Sequence, residues 1–221
     1  MGTLILNLKN NREFFGERAV YLAKISESVA YNTKTEIIIA PATPYLGFLT
    51  SKTQTKVYCQ GVDASSKGTA AITLGAIADA GASGTFLNHS DAPTGVILLE
   101  RMISSVKESG LESAVFTSRP VEAVRIAASD PTFIIVEDPA LIGSNTAIST
   151  ERPEFVSYVL DAVRSAGYKG RFLVGAGIRS GEDVRAAVKE GADGVAISSG
   201  ISGQLDKLRE KLLELARPLG G

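Results

Sequence analysis

RFLVGAGIRSGEDVRAAVKEGADGVAIS, residues 171 to 198, holds the pattern on which the fold turns. An apolar run of strand type ends in glycines, Ser-Gly-Glu-Asp opens an amphipathic helix pattern, and a second apolar run follows at once. Two short buried strands joined by one helix make a parallel βαβ unit, because the crossover returns the chain to the same end of the sheet. Upstream, PEFVSYVLDAVRSAG and PVEAVRIAAS read as helices and TFIIVE and ESAVFTS as strands, and TGVILLERMISSVKES reads as a helix after GTFLNHS. The first half keeps the rhythm less clearly, in TLILNLK (3 to 9), the helix pattern EFFGERAVYLAKISESVAYN, TEIIIAP (35 to 41), TKVYCQ (55 to 60) and TLGAIADAGA. LDKLREKLLELARPL closes the chain as a helix. About eight strand–helix units result, with no Pro/Ser-rich linker between halves. The expectation is an α/β single domain over residues 1–221, a closed (β/α)8 barrel near the short end of that architecture's usual length. A doubly wound open sheet is the alternative. Against it, no G-x-G-x-x-G follows the first strand and no G-x-x-x-x-G-K-[ST] occurs.

The bulk properties narrow the function. Lys+Arg is 23 against Asp+Glu 24, for a formal net charge of −1, so the basic surface that nucleic acid wants is absent. No apolar run approaches the ~20 residues of a membrane-spanning helix. The N-terminus MGTLILNLKNN lacks the pattern of a signal peptide, and Leu6 stands where a myristoylation signal wants Ser or Thr. The single cysteine, Cys59, reads as a small core residue. These features lead to an expectation of a cytoplasmic protein that binds neither nucleic acid nor membrane.

Strand alternation assigns faces. In TLILNLK, Leu4, Leu6 and Leu8 suit packing under helices, while Thr3, Ile5, Asn7 and Lys9 share the inner face. In GTFLNHS the inner face is expected to carry Thr85, Leu87 and His89, the only histidine. In TFIIVE it carries Phe133, Ile135 and Glu137. Three strands thus finish in Lys, His and Glu, at the end of a barrel where active sites are built. Each alone has a bland explanation, as a solvated or capping side chain. Three complementary groups at equivalent ends favour chemistry. GAGIRSGEDV and GVAISSGI place small residues where strands give way to helices, and backbone N–H groups there suit an anion such as phosphate. Tight turns that merely need glycine would leave the same trace.

In this order, LNLK, GTFLNHSD, VEDPALIGSN, GAGIRSGEDV and ISSG resemble motifs of the triosephosphate isomerases of the short archaeal type, over almost the whole chain. The resemblance implies a TIM barrel that interconverts dihydroxyacetone phosphate and D-glyceraldehyde 3-phosphate in glycolysis and gluconeogenesis, without cofactor or metal. It implies Glu137 as base, His89 as neutral electrophile and Lys9 as the cation beside the enediolate. It also implies substrate contacts at Asn7, Leu8 and Lys9, a lid over residues 138 to 146 with Ile142 and Gly143 above the ligand, and a phosphate site at Gly177, Ser198 and Ser199. The partner it implies is a small phosphorylated triose, and the assembly a homo-oligomer, dimer or tetramer.

The chain departs from the family's pattern at Asp138, where Pro usually follows the base, and at the lid tip Gly143–Ser144–Asn145. It also departs at Asp91 in place of Glu, at Phe116 in place of Cys, and in the third loop GTAAITLGA. Two other readings stay open on sequence: another phosphate-binding barrel enzyme, such as an epimerase or lyase, and a catalytically inactive barrel that binds a phosphorylated metabolite. Ser90, Asp91 and Pro93 suit the start of a helical turn, whose amide dipoles would disfavour a second proton on His89 while the Asp91 charge would oppose them.

Overall fold

The computed structural model describes residues 1–64, 67–141 and 146–220. Its strands are β1 (Thr3–Asn7), β2 (Glu36–Ala40), β3 (Lys56–Cys59), β4 (Gly84–Leu87), β5 (Glu112–Thr117), β6 (Phe133–Val136), β7 (Arg171–Val174) and β8 (Gly194–Ile197). Each pairs in parallel with its neighbours in chain order, and β8 returns to β1 with Thr3 beside Gly194 and Leu6 beside Ile197. The sheet is therefore a closed barrel, and the open-sheet alternative falls.

The outer layer contains α1 (Glu17–Thr33), α2 (Leu46–Thr50), α3 (Leu74–Asp79), α4 (Val96–Glu108), α5 (Pro120–Ala127), α6 (Ile148–Glu151), α7 (Pro153–Ser165), α8 (Gly181–Lys189) and α9 (Leu208–Ala216). The opening stretch shows why these residues fold as they do. Ser180 Oγ accepts from the Asp183 N–H at 3.2 Å and Asp183 Oδ2 accepts from the Ser180 N–H at 2.8 Å, a reciprocal cap that starts α8. Beyond α8, Gly191 takes φ +91°, where a side chain would be strained, and β8 follows.

Alternation along the strands builds two cores. Leu4, Leu6, Leu8, Ile134 and Val136 pack in the layer between sheet and helices, while Ile5, Ile38, Tyr58, Phe86, Phe133 and Ile135 fill the barrel. Full burial of such a side chain stabilises the fold by about 1.5–3 kcal/mol. The expected faces of β1 and β6 are those observed. That of β4 is reversed: Phe86 fills the interior and Leu87 packs in the helix layer. The strand stops at Leu87, and Asn88 adopts φ +57°, a left-handed conformation that breaks the period of two before His89. β1 likewise stops at Asn7, and Lys9 sits at φ +47° rather than on the strand.

The first residues of five strands form an ionic floor. Lys56 Nζ meets Glu36 at 3.0 Å and Glu112 at 2.7 Å, Arg171 pairs with Glu36, and Thr3 Oγ1 donates to Glu36 at 3.1 Å. The Tyr58 hydroxyl donates to Glu112 from inside the barrel. Cys59 is fully buried in the helix-side core, as expected, and burial raises its thiol pKa.

Candidate active site

At the opposite end, Asn7, Lys9, His89, Phe116, Glu137, Gly177, Ser198 and Ser199 line one cleft. The left-handed turn at Lys9 is held from both sides. Its N–H donates to Asn7 Oδ1 at 3.1 Å, and its carbonyl accepts from Gln60 Nε2 at 3.0 Å. Gln60 also donates to the Ala40 carbonyl at 3.1 Å, so one amide ties the ends of β1, β2 and β3 together. No motif in the sequence marks Gln60. Its signal was a polar residue directly after an apolar strand, the same position that marked Glu137. The Lys9 ammonium lies 2.9 Å from Asp91 Oδ2, and that bond holds the Asp91 carboxyl below its ordinary value.

His89 is buried, and its Nδ1 accepts the backbone N–H of Asp91 at 3.0 Å. A backbone N–H is a fixed donor, so Nδ1 carries no proton and the neutral ring bears it on Nε2. Asn7 Nδ2 lies 3.4 Å from Nε2. With Asn7 Oδ1 engaged by the Lys9 N–H, two donors face the same space, where a substrate oxygen would satisfy both. Burial pushes the His89 pKa down and Lys9 pushes it further, against an opposing pull from Asp91.

Glu137 follows β6, its N–H donating to the Thr117 carbonyl at 3.0 Å. Burial pushes its carboxyl pKa up to about 7, with Lys9 opposing and Asp91 assisting. Gly175 makes the room, since a Cβ there would stand 2.4 Å from Glu137 Oε1. Beyond β7, Gly177 has φ +74°, and a Cβ on it would meet the Thr146 carbonyl oxygen at 1.8 Å. Ser198 precedes the short turn Ser199–Ile201.

The cleft thus gathers Asn7, Lys9, His89, Glu137, Gly177, Ser198 and Ser199 as the sequence leads one to expect. It does not gather Leu8, whose side chain is buried in the helix layer while its N–H donates to the Ala40 carbonyl at 2.9 Å. Alternation turns position 8 away from the mouth. Ile142 and Gly143 lie outside the described residues. Among the described residues, no group of His, Cys, Asp and Glu is placed to hold a metal ion, and no helix is long and apolar enough to cross a membrane.

The family model for triosephosphate isomerase matches this chain over residues 2–117 and 104–212. The triosephosphate isomerase of Pyrobaculum arsenaticum is 39% identical over 218 residues, covering 98% of this chain and 97% of its own. That of Methanothermobacter thermautotrophicus is 38% identical over 214 residues, covering 96% and 93%. That of Metallosphaera sedula is 38% identical over 201 residues, covering 90% and 87%.

Proposed function

The chain belongs to the triosephosphate isomerase family and interconverts dihydroxyacetone phosphate and D-glyceraldehyde 3-phosphate, and from that premise we propose how its residues divide the work. Glu137 as carboxylate removes the proton on the carbon beside the substrate carbonyl and returns it to the neighbouring carbon. A base near pH 7 matches this task, being ionised often enough to act and basic enough to accept. The His89 Nε2–H and the Asn7 amide polarise the two substrate oxygens in turn, and the Lys9 ammonium stabilises the negative charge of the enediolate. A neutral imidazole suits a weakly acidic enediol better than an imidazolium, because its pKa as a donor is the closer match. The phosphate group sits against Gly177, Ser198 and Ser199, where little side chain separates it from backbone N–H groups.

The observation that carries this reading is convergence: Lys9, His89 and Glu137, from three different strand ends, face one cleft. An epimerase or lyase would share the phosphate end without needing that trio. The same reading takes residues 1–221 as one domain working in the cytoplasm in glycolysis and gluconeogenesis, as a homo-oligomer, dimer or tetramer. Large apolar side chains exposed on the helix layer support assembly: Ile97 at 67%, Val121 at 77% and Tyr158 at 62%.

Turnover of either triose phosphate, with inorganic phosphate as a competitive inhibitor, is the expected result of a steady-state assay. Absence of turnover, or equal turnover of glyceraldehyde with and without its phosphate, would remove the reading.

A further inference from the structure

The position where the family's pattern has cysteine, Phe116, touches His89 and the residue before it, Asn88. Its ring meets the imidazole edge-on, with centroids 4.8 Å apart and planes at 71°. Its carbonyl accepts the side-chain N–H of Asn88 at 2.8 Å. Asn88 is the left-handed residue that aims His89 into the mouth, and its Oδ1 accepts the Thr94 N–H at 2.8 Å, so the amide is held at both ends. Phe116 is itself packed in the barrel. It is buried at the end of β5 against Phe86, with centroids 5.1 Å apart at 77°, and Phe86 stands on Tyr58 at 6.3 Å. Tyr58 is anchored by its hydroxyl to Glu112 in the ionic floor. An aromatic column therefore runs from the floor to the one histidine.

Resting on the isomerase reading above, we propose that Phe116 is the positioning residue for His89: its carbonyl sets the turn that delivers the imidazole and its ring clamps it with Nε2 across from the substrate oxygens. The Asp91 N–H fixes Nδ1 but leaves the ring free to swing about that bond. An aromatic ring set at a steep angle removes this freedom, since an edge-to-face contact has a preferred geometry that an aliphatic side chain lacks. The ring also keeps water from that side of the imidazole. The charged groups that face His89 are Lys9 from the end of β1, Asp91 from its own loop and Glu137 from the end of β6. Phe116, which β5 presents to the same cleft, is apolar, so replacing it changes orientation and hydration without changing charge.

The test compares Phe116→Leu and Phe116→Met, which keep an apolar side chain without the ring, with Phe116→Tyr, which keeps the ring. In the first two, kcat should fall about 10- to 100-fold with KM little changed, as expected for a misplaced catalytic group. Ring ¹⁵N signals of His89, the only histidine, should broaden as the ring swings and should titrate closer to the ordinary value as water reaches it, while the Nε2–H tautomer set by the Asp91 N–H persists. Phe116→Tyr should restore both. Wild-type kcat and an unchanged His89 spectrum in a folded Leu or Met variant would overturn the clamp, whatever the loss in Tm. The NMR readout needs no substrate, so a wild-type chain without isomerase activity would remove the isomerase reading while the clamp was still judged on the ring signals.

Discussion

Glu36 at the floor of the barrel and Glu137 at its mouth are both largely buried carboxyls with a lysine nearby, yet their surroundings act on them in opposite directions. At the floor, burial alone would raise the Glu36 pKa, but Lys56 and Arg171 outweigh it and hold the carboxyl below its ordinary value. Lys56 is in turn held above its own ordinary value, because its bonds to Glu112 and Glu36 outweigh burial. At the mouth burial wins, and Glu137 rises to about 7. Lys9 does not saturate it, since Asp91 occupies that ammonium at 2.9 Å. Floor charges are neutralised by one another and add cohesion; mouth charges are kept out of balance and so can exchange a proton. Between them, the barrel separates stability from chemistry along its own axis.

The largest effect expected from this contrast is on rate. Glu137→Ala should lower kcat by at least ~10² without lowering Tm, whereas Glu36→Ala should leave kcat within about twofold. Comparable rate losses in both variants would erase the distinction between the two ends.

Stability should show the reverse pattern. Glu36→Gln takes a charge out of a partly buried cluster and should cost about 1–2 kcal/mol in urea unfolding at pH 8. Glu137→Gln should instead stabilise, by up to about 3 kcal/mol, because a carboxyl with an unfolded pKa of 4.5 and a folded value of about 7 favours the folded state only while protonated. That contribution is complete below pH 4.5 and lost as the pH rises through about 7. The Glu36 contribution has the opposite sign, present above 4.5 and lost as the pH falls through its lowered folded value. Parallel pH profiles for the two variants would contradict the contrast.

A smaller effect sharpens the comparison within the mouth. Asp91 raises the pKa of both Glu137 and His89, so Asp91→Asn should lower both. The acidic limb of the kcat/KM profile should then move down by less than about one pH unit. Movement upward would place control of Glu137 elsewhere.

The two ends also differ in how far the sequence discloses them. The mouth was legible because its residues follow apolar runs whose alternation is visible: Leu4, Leu6 and Leu8 against Ile5, or Phe133 and Ile135 leading to Glu137. His89 was placed correctly by an incorrect route, for the period of two carried through Asn88 ignores a left-handed residue that no local pattern announced. The floor was not legible at all. Arg171 and Glu36 stand 135 positions apart in the chain, and nothing local to either indicates the other until barrel register sets their strands' first residues together. The bonds of Gln60 were hidden for a similar reason, since its acceptors, the Lys9 and Ala40 carbonyls, lie just beyond β1 and at the end of β2.

Because β8 zips onto β1, the sheet has no open edge among the described residues, and its backbone offers no template on which a neighbouring chain could add a strand. The seam depends on Gly194, where any Cβ would stand 2.1 Å from the Thr3 carbonyl oxygen. A side chain there would part the two strands and uncover two edges at once, the arrangement from which cross-β fibres grow. Association through helix side chains leaves the seam shut. The missing methyl group at Gly194 is in that sense a guard against aggregation, placed far from the chemistry that the barrel encloses.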